Sequence, residues 1–249
     1  MEKFNKLKPY CYLDSSKKIV KFIPELNIEL LEYDKYLWNK IFIEKNIRGK
    51  LIDITSLKLT NIGRYSITKK DVTSGLHCVI KEFYKVLPVK ERKKYGDITI
   101  TETNGGLGGI TTSIAPYFGK INTVEITKIH SDIIKDNLKV YDIKNVNVIN
   151  DDYLNILFKL KQDIILADPP WGGPEYKTQY NLKLGFNNIN IICIINKLYD
   201  ANRFKIFIIL VPYNFDIQNF IKYIKSDTYF IKKFKSYVLI AVYNINSCV

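Results

Sequence analysis

Short apolar runs rich in Ile and Val alternate with amphipathic stretches through the larger, C-terminal part of the chain. The apolar runs predict strands at residues 97–103, 122–126, 145–149, 163–167 and 205–211. The stretches between them predict helices at 111–118, 130–140, 154–160 and 188–200. Two further runs, 229–234 and 237–243, predict a closing pair of strands. Because strands and helices alternate, we expect an α/β fold with a parallel sheet and crossover helices.

The N-terminal residues do not follow this alternation. They are lysine-rich with short mixed segments, and we expect residues 1–75 to form a small, mainly helical accessory lobe. A helical period over residues 74–84 then opens the main domain, 76–249, before Pro88 interrupts the pattern. The chain is therefore expected to have one large domain and one appended lobe.

Length and composition fit a globular protein. The chain has 249 residues, of which 47% are hydrophobic and 25% charged, so it can bury a substantial core. No stretch reaches the roughly 18 to 20 apolar residues of a bilayer span, and the N-terminal decapeptide lacks the apolar core of a signal peptide. We expect a protein that is neither secreted nor membrane-bound and resides in the cytoplasm, with the nucleus as an alternative. The pattern does not fix the oligomeric state, for which a monomer is the expectation.

The cysteines and histidines form no metal-binding or disulfide pattern. The four cysteines are far apart and form no CxxC pair, and neither of the two histidines has ligand-like neighbours. We therefore expect no metal and no disulfide framework.

The chain carries a strong positive charge. Its 38 Lys and Arg residues exceed its 25 Asp and Glu residues, which leaves a formal net charge of +13. Such a charge favours a polyanionic partner, for which nucleic acid is the natural candidate. The abundance of Ile, Asn, Lys and Tyr also fits an AT-rich genome, so part of the charge has a purely compositional alternative explanation.

A glycine-rich segment, residues 101–109, lies between the first predicted strand and the next helix. Gly105, Gly106 and Gly108 would let the backbone approach a ligand in conformations that a Cβ hinders. A tight strand-to-helix connection is the structural alternative. Glu125 ends the next strand about 16 residues after this segment, a spacing typical of an acid that binds ribose hydroxyls. An ordinary solvated strand end is the alternative for Glu125.

Two acidic residues and a tyrosine follow the third predicted strand. Asp152 could accept a hydrogen bond from an adenine amino group, and Tyr153 could cover the ring. Asp is also favoured at helix N-termini, so an N-cap is the structural alternative.

The fourth predicted strand ends in the tetrad Asp168, Pro169, Pro170 and Trp171, followed by Gly-Gly-Pro-Glu-Tyr. Two prolines fix their φ angles and remove two N–H groups, so neighbouring carbonyls are presented rigidly. Trp171 supplies a flat stacking surface. Together these groups suit a planar base that carries an amino group, and we expect the tetrad to form a catalytic loop. A turn with a core tryptophan is the structural alternative.

In this order, the glycine turn, the acidic strand end, the Asp-Tyr pair and the DPPW loop resemble class I S-adenosylmethionine-dependent methyltransferases that modify exocyclic amino nitrogens. The string DPPWGGPEY looks like the catalytic loop of trimethylguanosine synthases, cap-specific guanine-N2 methyltransferases whose usual form has Ser in place of Asp168. Residues 64–68 (RYSIT) and 211–214 (VPYN) are similar to two further segments of that family. The resemblance covers roughly residues 60–220.

The resemblance implies a Rossmann-like domain with a mostly parallel seven-stranded sheet and helices on both faces. It also implies S-adenosylmethionine as methyl donor, S-adenosylhomocysteine as product, and no metal. The cofactor would be bound by Glu102, Asn104, Gly105, Gly106, Gly108, Glu125, Asp152, Tyr153 and Asp168. Of these, Glu102 stands where the family usually has Asp.

The implied substrate is a capped RNA or a 7-methylguanosine cap nucleotide, methylated at the guanine 2-amino group. Trp171 would stack on the cationic base, which adds a cation–π term of about 0.5–2 kcal/mol. The other cap contacts would come from Ser66, Asp168, Pro174, Tyr213 and Asn214. Lys or Arg side chains of the N-terminal lobe would contact the phosphates. Because Tyr213 replaces the family's Arg, another basic residue must compensate.

The sequence leaves two other functions open. DPPW also looks like the catalytic motif of adenine-N6 or cytosine-N4 methyltransferases, in which Asp is the typical residue at position 168. A catalytically inactive RNA-binding subunit would explain the charge and the irregular glycine loop. The GGPEY continuation and the RYSIT segment favour the cap enzyme. Whether one or two methyl groups are added, and to which RNA, stays open.

Overall fold

The computed structural model describes residues 11–13, 19–21, 28–46 and 49–245, so the N-terminal decapeptide and Cys248 lie outside the described residues. In chain order the strands are β1 (Cys11–Leu13), β2 (Ile19–Lys21), β3 (Thr99–Glu102), β4 (Lys120–Val124), β5 (Val146–Ile149), β6 (Ile164–Ala167), β7 (Gly185–Phe186), β8 (Ile189–Asn190), β9 (Ile206–Val211), β10 (Tyr229–Phe234) and β11 (Tyr237–Tyr243). The α-helices are α1 (Lys35–Ile41), α2 (Gly63–Ser66), α3 (Lys70–Thr73), α4 (Leu76–Tyr84), α5 (Gly109–Ile114), α6 (Lys128–Val140), α7 (Tyr153–Ile156), α8 (Ile191–Asp200) and α9 (Ile217–Tyr223).

Seven of the described strands form one sheet in the order β10-β11-β9-β6-β3-β4-β5. The five adjacent strands β5, β4, β3, β6 and β9 are parallel to one another, whereas β11 is antiparallel to β9 and β10 is antiparallel to β11. β1 pairs with β2, and β7 with β8, as small antiparallel pairs outside this sheet. The prediction of an α/β fold with a mostly parallel, Rossmann-like sheet is confirmed.

Hydrophobic side chains fill both faces of the sheet. In β6, Ile165 and Ala167 face a core shared with α8 and α9, whereas Ile164 and Leu166 face the core shared with α4 and α5. All four are fully buried, since successive side chains of a strand point to opposite faces. A strand covered by helices on both faces is apolar throughout, which explains the uninterrupted IILA run.

Several predicted helices are shorter than the sequence pattern indicates. The helix expected at 154–160 is the four-residue α7, and the one expected at 111–118 divides into α5 and a 3-10 turn, Ala115–Tyr117. The β7–β8 hairpin occupies the start of the helix expected at 188–200, and α9 was not predicted. These segments are too short to show a full helical period.

The described part of the N-terminal lobe packs directly on the main domain. Trp38 is buried and its indole N–H donates to the carbonyl of Leu57 at 2.9 Å. This small core joins residues of the lobe to residues of the glycine-rich segment and α6: Trp38, Ile41, Phe42, Leu57, Leu59, Ile67, Leu107, Ile133 and Tyr141. The lobe is thereby fixed beside the glycine-rich segment. Its short helices α1, α2 and α3 agree with the expected helical character, while its boundary at residue 75 stays a prediction.

None of the helices among the described residues combines the length and the apolar character that a membrane crossing requires.

Candidate active site

The glycine-rich segment and the DPPW tetrad meet at the carboxyl edge of the sheet. β3 and β6 are parallel neighbours in which Glu102 pairs with Leu166, and the N–H of Thr103 donates to the Leu166 carbonyl at 3.0 Å. The loops that leave these two strands therefore start side by side. β4 and β5 lie on one side of this pair and β9 on the other, so it is the switch point at which open α/β sheets bind ligands.

The glycine-rich loop is tight on its inner side and open on its outer side. A Cβ on Gly105 would come 2.5 Å from the hydroxyl oxygen of Thr123, so this position holds only glycine. Gly106 has φ +53°, and no described atom lies within 4 Å of the place where its Cβ would be. Gly108, at φ +85°, then starts α5. The backbone at Gly106 can thus approach a ligand closely.

Glu125 lies against the open part of this loop. Its carboxylate accepts from the N–H of Gly106 and the N–H of Thr127, both at 2.8 Å. The side chain is buried, and this burial raises the pKa of Glu125. His130 lies 3.9 Å from it, and burial lowers the pKa of His130 to about 4, so the imidazole is neutral. The structure therefore brings Glu125 and Gly106 together, although the ribose-binding role stays a prediction.

Glu102 lies beneath the glycine loop. The hydroxyl of Thr123 donates to its carboxylate at 3.1 Å, and the hydroxyl of Thr111 donates to the same oxygen. Burial raises the pKa of Glu102 to about 8, and the nearby carboxylates of Asp168 and Glu125 raise it further. Glu102 is therefore protonated at neutral pH. Its hydrogen bonds with Thr111 and Thr123 join β3 to α5 and β4.

Asp168 is hydrogen-bonded across the site to the N-terminal lobe. The hydroxyl of Thr68 donates to its carboxylate at 3.0 Å. Burial raises the pKa of Asp168 to about 7, against the opposing effect of this hydrogen bond. Thr68 also packs against the glycine loop, since a Cβ on Gly109 would lie 2.5 Å from the Thr68 carbonyl. Thr68 was not among the predicted site residues, although it ends the RYSIT segment.

Trp171 belongs to an aromatic cluster at the mouth of the site. Its ring is half-buried and lies 4.9 Å from Tyr176 and 5.1 Å from Tyr237, between ring centroids. Its indole nitrogen is buried and finds no acceptor in the part of the chain that the structure describes. Pro169 is buried, whereas Pro170 is exposed. Like Thr68, Tyr237 lies at the site but was not among the site residues predicted from the sequence.

The predicted substrate contacts after the tetrad take different positions. The side-chain amide of Asn214 donates to the carbonyls of Tyr176 and Gln179, at 2.6 and 2.8 Å, and so supports the segment that follows the tetrad. Tyr213 is exposed, and Ser66 is an exposed residue at the end of α2. The backbone of Pro174 begins the 3-10 turn Pro174–Thr178. Direct contact of these residues with a substrate stays a prediction.

Asp152 and Tyr153 contribute to local structure. Asp152 caps α7 by accepting from the N–H of Leu154 at 2.9 Å, and it accepts from Asn187 at 2.5 Å. The ring of Tyr153 is buried against Phe186, and its hydroxyl has no partner among the described residues. Asp152 therefore serves as an N-cap, while contacts of Asp152 and Tyr153 with a cofactor stay predictions.

Asn104, in the glycine-rich segment, is half-buried, and its side chain accepts from the Thr103 hydroxyl at 2.6 Å.

Comparison with known sequences adds the family. Residues 98–246, which include the glycine loop, Glu125 and the tetrad, match the family described as RNA cap guanine-N2 methyltransferase. The chain belongs to this family. The match shows that the family suspected from DPPWGGPEY was predicted correctly.

The chain is also similar to two curated relatives and to one solved structure. An uncharacterized protein of Acanthamoeba polyphaga mimivirus is 33% identical over 200 residues, which are 79% of this chain and 75% of that protein. An uncharacterized RNA methyltransferase of Lactiplantibacillus plantarum is 24% identical over 170 residues, 61% of this chain and 37% of its own length. The N-terminal domain of human METTL16 has a TM-score of 0.51 at 7% identity and covers 72% of each chain. This structural likeness shows a shared fold.

Replacing Glu102 by Gln in this family member is expected to reduce the loss of thermal stability as the pH rises toward 8. The folded protein keeps this carboxyl protonated to about pH 8, whereas the unfolded chain ionises it near its ordinary value of 4.5. The folded state binds more protons across that interval, so stability falls as pH rises through it. Gln cannot ionise, so melting temperatures between about pH 5 and 8 should fall less steeply for Glu102→Gln than for the wild type.

The exposed Glu32 provides the matched control, and Glu32→Gln should leave the wild-type slope unchanged. Equal slopes for wild type and Glu102→Gln would contradict the burial of a protonated carboxyl beneath the loop.

Proposed function

We propose that this family member transfers a methyl group from S-adenosylmethionine to the 2-amino group of a 7-methylguanosine cap. The observation that carries the proposal is the pairing of a half-buried carboxyl with a raised pKa, Asp168, with a half-buried indole, Trp171, beside the open glycine loop. Membership of the cap guanine-N2 family supports the choice of base.

The glycine loop fits the methyl donor. The open space in front of Gly106 allows close approach to the backbone, and Glu125 is held next to it. Gly105, Gly106, Gly108, Asn104 and Glu125 would hold the cofactor there. When bound, S-adenosylmethionine supplies a methyl group that is already electrophilic, and S-adenosylhomocysteine is the product. The chain itself then has to align the attacking nitrogen and exclude water.

Trp171 would select the methylated base. A guanine methylated at N7 is cationic, and a cation over an indole face gains about 0.5–2 kcal/mol, depending on how far it is desolvated. Unmethylated guanine lacks this term. Contacts with Tyr176 and Tyr237 restrict the orientation of the indole, so its side chain loses less conformational entropy when the substrate binds.

Asp168 and its neighbouring carbonyls would orient the amine. An acceptor at the Asp168 carboxylate or at the Pro169 carbonyl can hold the amino N–H groups and localise the nitrogen lone pair. The amine becomes acidic only after it has received the methyl group, so a strong base is unnecessary. A carboxyl with a pKa of about 7 can accept the released proton at neutral pH, and water is the alternative acceptor.

A three-substrate assay tests this proposal. Purified protein and labelled S-adenosylmethionine are incubated with 7-methyl-GTP, unmethylated GTP or an adenine-containing oligonucleotide. The masses of the products are then measured by mass spectrometry. We expect methylation of 7-methyl-GTP at a rate about 2- to 30-fold above that of GTP, the range that corresponds to a cation–π term of about 0.5–2 kcal/mol. The product mass also counts the methyl groups added.

Each alternative has its own signature in this assay. Methylation of the oligonucleotide alone would instead assign the protein to the amino methyltransferases of adenine or cytosine, for which Asp168 is typical. No transfer to any substrate, with no binding of the cofactor in calorimetry, would favour an inactive RNA-binding protein.

A further inference from the structure

A basic turn lies beside the Trp171 loop. β11 runs antiparallel to β9, and β9 is parallel to β6, so the turn that joins β10 to β11 lies at the same edge of the sheet as the tetrad. Tyr237, the first residue of β11, contacts the indole of Trp171. Lys235, in this turn, therefore lies at the rim of the proposed cap site.

Contacts with Tyr213 fix the position of the turn. The hydroxyl of Tyr213 donates to the backbone carbonyl of Lys235 at 2.7 Å. The ammonium of Lys233 lies 5.4 Å from the centroid of the Tyr213 ring, within cation–π distance. Two lysines from the turn region are thus held at one place by one tyrosine, which follows the end of β9.

The backbone of Lys235 is unusual for its residue type. Its φ is +57°, in the left-handed region that favours Gly, Asn and Asp. Every other non-glycine residue of the described chain with a positive φ is Asn or Asp. A lysine in this conformation gives up backbone stability that Gly or Asn would retain, and such departures concentrate at functional positions.

The charges of the two lysines are not neutralised locally. Lys232 forms an ion pair with Glu82, whereas neither Lys233 nor Lys235 has a carboxylate within 4.0 Å in the described ranges. Both side chains are exposed. The turn therefore presents two positive charges that no carboxylate of the described residues neutralises, next to a site that is otherwise lined by aromatic and acidic groups.

We propose that Lys233 and Lys235 bind the polyphosphate attached to the methylated guanine when its base contacts Trp171. This inference rests on the proposed function and names a phosphate subsite within it, on the β10–β11 turn. Lysine ammonium groups are point charges that donate to phosphate oxygens, and two of them fit a chain of two or three phosphates. Tyr213 would act as a positioning residue by holding the turn.

The test is a phosphate ladder measured with the full-length chain. KM and kcat are determined for 7-methylguanosine and its mono-, di- and triphosphate, with wild type and the double variant Lys233→Ala, Lys235→Ala. We expect the wild-type KM to fall as phosphates are added. The double variant should raise KM for the triphosphate by about 10- to 100-fold, because each lost contact is a hydrogen bond to a charged group. Its constants for 7-methylguanosine, which has no phosphate, should change less than twofold.

Two control variants separate binding from folding. Lys120→Ala removes an exposed lysine at the opposite, amino edge of the sheet, where β4 begins. This variant should leave KM unchanged for 7-methylguanosine and for each of its phosphates. Lys235→Gly relieves the left-handed backbone, so it should keep or raise the melting temperature and still raise KM for the triphosphate. If Lys235 had a purely structural role, Lys235→Gly would instead lower the melting temperature and leave KM for the triphosphate unchanged.

Binding measured by quenching of tryptophan fluorescence distinguishes the two possible failures. If no substrate is methylated, the proposed function is wrong, and the affinities for 7-methyl-GTP and 7-methylguanosine still test the subsite. An unchanged triphosphate affinity in the double variant overturns the subsite. An effect seen with a capped oligonucleotide but with none of the free nucleotides would also overturn it, because the lysines would then bind the RNA backbone.

Discussion

Replacing Asp168 by Asn is expected to lower kcat for 7-methyl-GTP by about 100-fold, with KM changed by less than about threefold. Asn has the same shape and can still accept from Thr68, so the loop keeps its position. It carries no charge, however, and it cannot take up the proton that the methylated amine releases. The loss therefore falls on the transition state rather than on binding of the substrate. Steady-state kinetics at pH 8 measures both constants.

The pH dependence gives this prediction a second readout. In the wild type, kcat should rise with pH through about 7, as Asp168 loses its proton, and then level off. Asp168→Asn should remove this rise. Glu102, with a pKa of about 8, ionises nearby, so the same profile is measured for Glu102→Gln, which should keep the rise near 7.

Asp168→Ser supplies the matched control. Ser stands at this position in the usual form of the family's loop and, like Asn, takes up no proton near pH 7, so this variant should also lose the rise near pH 7. Full turnover by Asp168→Asn would contradict a role of the carboxylate and leave the Pro169 carbonyl as the acceptor.

Replacing Trp171 by Ala is expected to lower kcat/KM for 7-methyl-GTP by about 10-fold or more. Base stacking on an aromatic side chain contributes about 1–3 kcal/mol, and the cation–π term adds about 0.5–2 kcal/mol. The effect should appear mainly in KM, because the indole contacts the base before and during transfer. The ratio of kcat/KM between 7-methyl-GTP and GTP should fall about 10-fold, since only the methylated base has the cation–π term.

Trp171→Phe measures how much of the loss comes from removing an aromatic ring altogether. Phe keeps an aromatic face and contacts with Tyr176 and Tyr237, so we expect a loss smaller than that of Trp171→Ala. Melting temperatures show whether either variant disturbs the core against which the indole packs. Unchanged selectivity for the methylated base in folded Trp171→Ala protein would exclude the indole as the base contact.

The central strands could be predicted from the sequence because their information is local. The IILA run of β6 and the IFIILV run of β9 are apolar at every position, as strands buried on both faces must be. The glycine loop and the tetrad follow strands directly, so their place at the carboxyl edge followed from the parallel sheet. The β7–β8 hairpin could not be predicted, because two residues per strand make no periodic pattern.

The site residues missed by the sequence are those that arrive from distant parts of the chain. Thr68 lies 100 residues before its hydrogen-bond partner Asp168. Tyr237 and Lys235 reach the site because β11 returns beside β9. The types and spacing of Tyr237 and Lys235 carry no signal, whereas Thr68 ends the RYSIT segment. Tyr213, for which contact with the substrate stays a prediction, also holds the turn.

The sequence by itself determined the sheet, the order of its motifs and the chemical groups of the DPPW tetrad, since hydrophobic periodicity and loop chemistry are properties of neighbouring residues. Only the tertiary structure decided that Glu102 is buried, that Glu102 and Asp168 have raised pKa values, and which side chains meet Trp171. Burial and electrostatics depend on where the chain returns in space, and that is set by the packing of the whole fold.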